Sequence, residues 1–156
     1  AACGDAKNDT ITINDGQLHI IWGGQGGDII NLSGSGKENV LVWREGDQGT
    51  AGTPAVDKIT GFTVGNLTDT DTTNDGDILD LRGLLSDIIS EGGGNTLDDL
   101  ISFTVESGKT TINIGSAADP SQAVQQIVLE GTTLTAADSS HGTYEELAHQ
   151  IILITQ

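Results

Sequence analysis

Nine consecutive residues, Gly23-Gly24-Gln25-Gly26-Gly27-Asp28-Ile29-Ile30-Asn31, satisfy the nonapeptide G-G-x-G-x-D-x-U-x, in which U is a large aliphatic residue. Their chemistry is that of an oxygen cage. Glycines let the backbone turn where side chains would clash. The carbonyls of Gly23, Gly24, Gln25 and Gly26 can then point inward, and Asp28 adds a carboxylate. A turn with no nitrogen or sulfur donor suits a hard cation, calcium above all. Ile30 would begin a short buried strand beyond it.

Carboxylates recur around that turn. Residues 4–12 keep the first glycine, the aspartate (Asp9) and the apolar position of the nonapeptide. Residues 33–41 keep two of its three glycines and place Glu38 where the aspartate belongs. If two nonapeptides make one coil of about 18 residues, Asp9 and Asp28 stack on one edge, with a cation between their turns. The Asn14-Asp15-Gly16 corner and the turn at 33–38 then form the opposite edge, poorer in ligands. Further along, Asp47, Asp57, Asp77 and Asp80 make a second expected calcium cluster. Asp57 would sit at a strand entrance with Ile59 in the core, while Asp77 and Asp80 bracket Ile78-Leu79. Each also has a plainer role as a turn or cap residue; Asp80, for instance, could N-cap a helix over 81–89.

The elements that must position these groups are mostly strands. Apolar residues follow each acidic turn, which predicts strands near 10–13, 18–21, 29–32 and 40–43. Residues 95–100 read as a capped helical turn. Alternation over 101–106 and 110–114 around Ser107-Gly108 predicts a β-hairpin, and 124–129 another strand. Thr143-Tyr144-Glu145-Glu146 fits a capping box, opening a helix whose end carries Ile151-Ile152-Leu153-Ile154.

Composition limits the partners. The 156 residues are enough for one domain with a real core, and 22 of them are glycine, about twice average usage. Twenty-three acidic residues against six basic ones give a formal charge of −17. Such a chain lies near the disordered regime unless something neutralises its carboxylates. It has no basic stripe for nucleic acid, and anionic membranes would repel it. The single Cys3 makes no internal disulfide. No stretch approaches the ~18 apolar residues of a transmembrane helix, and no secretory signal peptide is visible. The chain reads as a piece of something longer, entered partway through a repeat array.

The nonapeptide resembles the calcium-binding parallel β-roll of RTX proteins. The resemblance widens downstream. Trp43, the Gly46-Asp47 pair, Asp57-Lys58-Ile59-Thr60-Gly61-Phe62 and Gly76-Asp77-Ile78-Leu79-Asp80-Leu81, followed by Leu84-Leu85, are similar to the closing module of large RTX adhesins exported by type I secretion. It continues through Phe103 and Gln126-Ile127-Val128-Leu129-Glu130-Gly131, covering nearly all the chain from Gly23 on. One departure is Gly61, where that family often has aspartate. The resemblance implies a mainly β fold: a short parallel β-roll stub over 1–43, continuing at 44–156 into a β-rich capping module with a few short helices and an uncleaved secretion signal. It further implies Ca²⁺ as cofactor. The partners would be an ABC exporter, its adaptor, an outer-membrane channel and the preceding repeats of a parent adhesin. The product would be a monomeric, extracellular or cell-surface protein that folds once outside.

Other functions fare worse. A glycine-rich linker or metal-free meander does not explain the apolar residues after each acidic turn. A phosphate loop would need a Lys-Ser/Thr pair after Gly27. An EF-hand over 71–82 would end in Arg82 where a bidentate glutamate is required. No nucleophile elbow, HExxH or Ser/His/Asp order stands out, so an enzyme is not expected, and His19, His141 and His149 are scattered. A calcium-dependent carbohydrate- or peptide-binding module is the rival, with Trp22, Trp43 and Tyr144 as its aromatic candidates. A structural spacer is the third alternative.

Overall fold

The computed structural model describes residues 1–35, 38–67 and 76–156. The aspartate-dense loop at 66–75 falls largely outside them, and with it residues 71–75 of the loop tested above as an EF-hand. The fold is mainly β, with two sheets and three short helices among the described residues.

The chain passes back and forth between the two sheets. β1 (Ala2–Cys3), β3 (His19–Trp22), β5 (Asn39–Val42) and β7 (Ile78–Asp80) lie parallel in one sheet, closed by β12 (Ile152–Ile154) in the order β1-β3-β5-β7-β12. β2 (Thr10–Thr12), β4 (Ile29–Asn31) and β6 (Ala55–Thr60) lie parallel in the other. That sheet is extended by β10 (Ala123–Glu130), β9 (Lys109–Gly115), β8 (Ile101–Glu106) and β11 (His141–Thr143), in the order β11-β8-β9-β10-β6-β4-β2. The division anticipated at residue 43 leaves no break in this topology, because β6 and β7 continue both sheets.

Register explains the core. Side chains two apart on a strand share a face, so one rung position stacks down each sheet. Ile11, Ile30, Ile59 and Leu129 form one such ladder. Ala2, Ile21, Leu41, Leu79 and Leu153 form the other. Most of these side chains are fully buried and belong to one continuous apolar cluster with Trp43, Leu81 and Phe103. The intervening residues face out, leaving Ile20 and Ile29 47% and 48% exposed.

The helices pack on this frame. α1 (Arg82–Ser90) buries Leu84, Leu85 and Ile88 on one face and stops before three consecutive glycines, 92–94. Its N-cap is Leu81, not Asp80. Asp80 ends β7 instead, because its backbone carbonyl accepts from Trp43 N and completes the strand pairing. α2 (Leu97–Leu100) has the expected capping box at Thr96 and Asp99. The hairpin turns at Ser107 (φ 52°) and Gly108 (φ 77°), the doubly left-handed geometry that tight two-residue turns favour. α3 (Tyr144–Ala148) opens on the Thr143–Glu146 capping box. The apolar tail does not continue that helix. Ile152, Leu153 and Ile154 pair in parallel with Ile78, Leu79 and Asp80. A branched run beside an unpaired sheet edge gains more hydrogen bonds and burial as a strand than as a helix end.

Gly142 on β11 lies against Phe103, where an added Cβ would stand 2.0 Å from the ring. Phe103 is fully buried and cannot retreat. Gly142→Ala should therefore lower stability by about 1–3 kcal/mol, read as a reduced midpoint in thermal or urea denaturation.

Candidate functional site: a ladder of buried carboxylates

The nonapeptide turn depends on two glycine properties. Gly24 and Gly26 adopt φ of 94° and 110°, a region costly for other residues. Gly23 gives space: a Cβ there would lie 1.9 Å from Asp28 Oδ2, so the carboxylate folds back over the glycine. The degenerate first repeat builds the same turn, since a Cβ on Gly4 would lie 2.4 Å from Asp9 Oδ2. These turns occupy one edge, where strands of the first sheet end and those of the second begin.

On that edge Asp28 and Asp57 each accept from the backbone of the coil before, while Asp9 accepts within its own turn. Asp9 Oδ2 accepts from Asp5 N at 2.8 Å. Asp28 Oδ1 accepts from Asp9 N at 2.9 Å, and Asp57 Oδ1 from Asp28 N at 2.8 Å. The rungs align because Thr10, Ile29 and Lys58 share a register position. Asp57 is not at a strand entrance: it is the third residue of β6 and shares the inward face of Ile59. Its Oδ2 accepts from Trp43 Nε1 and from Gln125 Nε2, both at 2.8 Å.

The ladder is dry. Asp28 and Asp57 are 1% and 2% exposed, and neither has a cationic partner among the described residues. Asp28 Oδ2 has no hydrogen-bond donor among the described residues. Burial pushes the Asp28 carboxyl up to about 6, against the bond from Asp9 N and with the help of the neighbouring Asp57 and Asp9 charges. Burial also raises Asp57, opposed by its bonds from Asp28, Trp43 and Gln125.

The other expected ligands are distributed. Gly23, Gly24, Gln25 and Gly26 form the turn above Asp28, and Gln25 Nε2 donates to Gly46 O at 3.0 Å. Asp47 is nearby, accepting from Arg44 N at 2.7 Å. Asp47 and Asp28 both line a cleft of about 650 Å³, with Asn8, Gly26, Gly27 and Lys58 among its walls. Asp80 pairs with Arg82 through two oxygens, at 3.0 and 2.7 Å; that guanidinium holds its carboxyl below the usual range. Asp77 and Glu38 are on the opposite edge, so the expected second cluster is divided. Asp77 Oδ1 accepts from Asn39 N at 2.9 Å and its Oδ2 from Thr63 N at 2.7 Å. Burial raises its carboxyl. Asn39, not Glu38, takes the rung position beside Asp77, because Val40 pairs with Ile78.

Sequence reasoning passed over Asn39, and it missed the hydrogen-bonding roles of Trp43 and Gln125. Asn39 was detectable: Asn39-Val40-Leu41 repeats the Asp28-Ile29-Ile30 spacing one residue after Glu38. Nothing local marks Gln125, 68 residues from Asp57. Gly61 has φ 79°, and a Cβ there would lie 2.5 Å from Ser33 N, so there is no room for the aspartate of the resembled pattern. Trp22 carries the Arg44 guanidinium over its ring at 3.7 Å.

No group of three or more His, Cys, Asp or Glu residues is arranged to hold a metal among the described residues. What the turn offers is narrower: one buried carboxylate oxygen lacking a donor, in a loop whose other donors are oxygens. That chemistry fits a hard cation. In the comparisons with family models, curated proteins and solved structures, nothing matches this chain.

The raised carboxyls set a pH dependence. Between the ordinary value of 3.8 and about 6, folded Asp28 holds more proton than the unfolded chain does, so stability falls as pH rises through that window. Asp80, shifted the other way, contributes above its ordinary 3.8 and loses that contribution only as pH falls below it. Without metal, the thermal midpoint should therefore be higher near pH 5 than at pH 7. Asp28→Asn should flatten that difference, and an unchanged slope would remove Asp28 as its source.

Proposed function

We propose that this chain is a calcium-binding β-roll module of a secreted or surface adhesin, with Asp28 and the Gly23–Gly27 turn as its principal site. Asp28 Oδ2 carries this reading: it is buried, without a donor, and seated on a glycine turn in a chain of charge −17. Isolated buried charge is costly, and a divalent ion bound there would supply the missing counter-charge. Asp28 would contribute its carboxylate, with main-chain carbonyls of the glycine turn. Asp9 donates its backbone N–H to Asp28, and Asp47 lines the same cleft. Alternation of parallel strands between two sheets is what a β-roll requires, and it supports that name for residues 1–80.

The same chemistry suits export through a type I system of ABC transporter, adaptor and outer-membrane channel. Where calcium is scarce, carboxylate repulsion favours an expanded chain. Where it is abundant, binding favours the closed coils. Extracellular calcium modules bind with Kd of about 10⁻⁴–10⁻³ M. Tenfold excess over Kd adds about 1.4 kcal/mol per site, so a few coupled sites rival the net stability of a domain. The carbohydrate-binding alternative has less support, since Arg44 already stacks on Trp22 and Trp43 is buried in the core.

Circular dichroism and calorimetric titration test the calcium step. Added calcium should raise strand content and the thermal midpoint, chelator should reverse both, and Asp28→Asn should remove at least one binding event. Equal order and heat resistance after exhaustive chelation would overturn the proposal. For export, a passenger fused to the whole chain should leave cells carrying a type I exporter, and deletion from Ser107 onward should abolish this.

A further inference from the structure

Asp57 is the most heavily bonded carboxylate of the ladder, and its donors come from three separate parts of the chain. Asp28 N belongs to the nonapeptide turn, Trp43 follows β5, and Gln125 lies on β10 of the antiparallel extension. Every contact is a neutral N–H, each at 2.8 Å. Both oxygens of Asp57 therefore already accept from protein, unlike those of Asp28, whose Oδ2 has no partner among the described residues.

We propose that Asp57 is a relay and not a metal ligand: it anchors the Asp28 turn to Gln125 of β10, so that order at the turn and order around Gln125 reinforce each other. The path is continuous. Asp28 holds Asp9 N, Asp57 holds Asp28 N, and Gln125 and Trp43 hold Asp57. Linked hydrogen bonds in a low-dielectric interior strengthen one another, and a coupling between two sites acts equally in both directions. Removing a donor at Gln125 leaves the main-chain pairing of β10 with β6 in place but lets the Asp57 carboxylate swing. The Asp28 amide then loses its fixed acceptor. Only the identity of the ion at Asp28 rests on the calcium reading; the relay is a property of the ladder itself.

Two variants of the full chain test it, Gln125→Met, nearly the same in shape, and Trp43→Phe, which keeps an aromatic ring without the N–H. In chelator, hydrogen exchange at the Asp28 amide should accelerate about fivefold in each variant, the worth of one net hydrogen bond. Amides of β8 and β9 should stay within about twofold. Exchange that rises uniformly, or not at all at Asp28, overturns the relay and leaves Asp57 a packing residue. In calcium titrations of the same proteins, Gln125→Met should weaken binding about fivefold although Gln125 is not a ligand. Asp57→Asn should keep the wild-type number of bound ions, and loss of an ion in that variant also overturns the proposal. Wild-type protein that binds no calcium would defeat the calcium reading, while the exchange measurement in chelator would still decide the relay.

Discussion

Burying carboxylates in a chain with 23 acidic residues and six basic ones is the constraint on which this structure turns. The protein meets it with backbone amides. Each aspartate on the acidic edge is placed two residues before an inward aliphatic residue, so it enters the interior with that residue and must be bonded there. Asp28 and Asp57 satisfy this by accepting from the coil before them, and Asp9 by accepting from Asp5 N in its own turn. The arrangement joins hydrophobic stacking to polar pairing: the same register that aligns Ile11, Ile30 and Ile59 aligns the carboxylates two residues earlier.

The ladder is closed differently at its rungs, and that difference separates structure from binding. Asp57 accepts from an indole, an amide side chain and a main-chain N–H, so that both its oxygens are bonded. Asp80 is neutralised by Arg82, and Asp77 is shared between two backbone amides. Asp28 alone among these four keeps a buried oxygen without a donor. Similar sequence contexts thus end in unlike electrostatic states, because the partners arrive from distant strands. An acidic turn becomes a binding site where the fold withholds its own donors.

Much of the architecture was legible locally. The strands after each acidic turn, the Ser107-Gly108 hairpin and the two capping boxes follow from short-range rules of turn chemistry and periodicity. The misjudged elements have a common cause. Asp80 is compatible with an N-cap, yet pairing between β5 and β7 keeps it in a strand. The apolar tail is compatible with a helix end, yet the free edge of β7 makes it β12. Asp57 was expected at a strand entrance, but pairing with both β4 and β10 extends β6 on either side of it.

What the amino-acid order alone determined was the repeating unit: a glycine turn, an aspartate, then an aliphatic residue two positions on, in a chain too acidic to ignore counter-charge. These follow from backbone sterics and side-chain period, which act over a few residues. Tertiary structure alone decided which carboxylates meet which donors. It divided Asp77 from Asp57, substituted Asn39 for Glu38 on the rung, and brought Gln125 to Asp57. Those outcomes depend on register between strands far apart in sequence, and a one-residue slip would turn every such side chain to the opposite face.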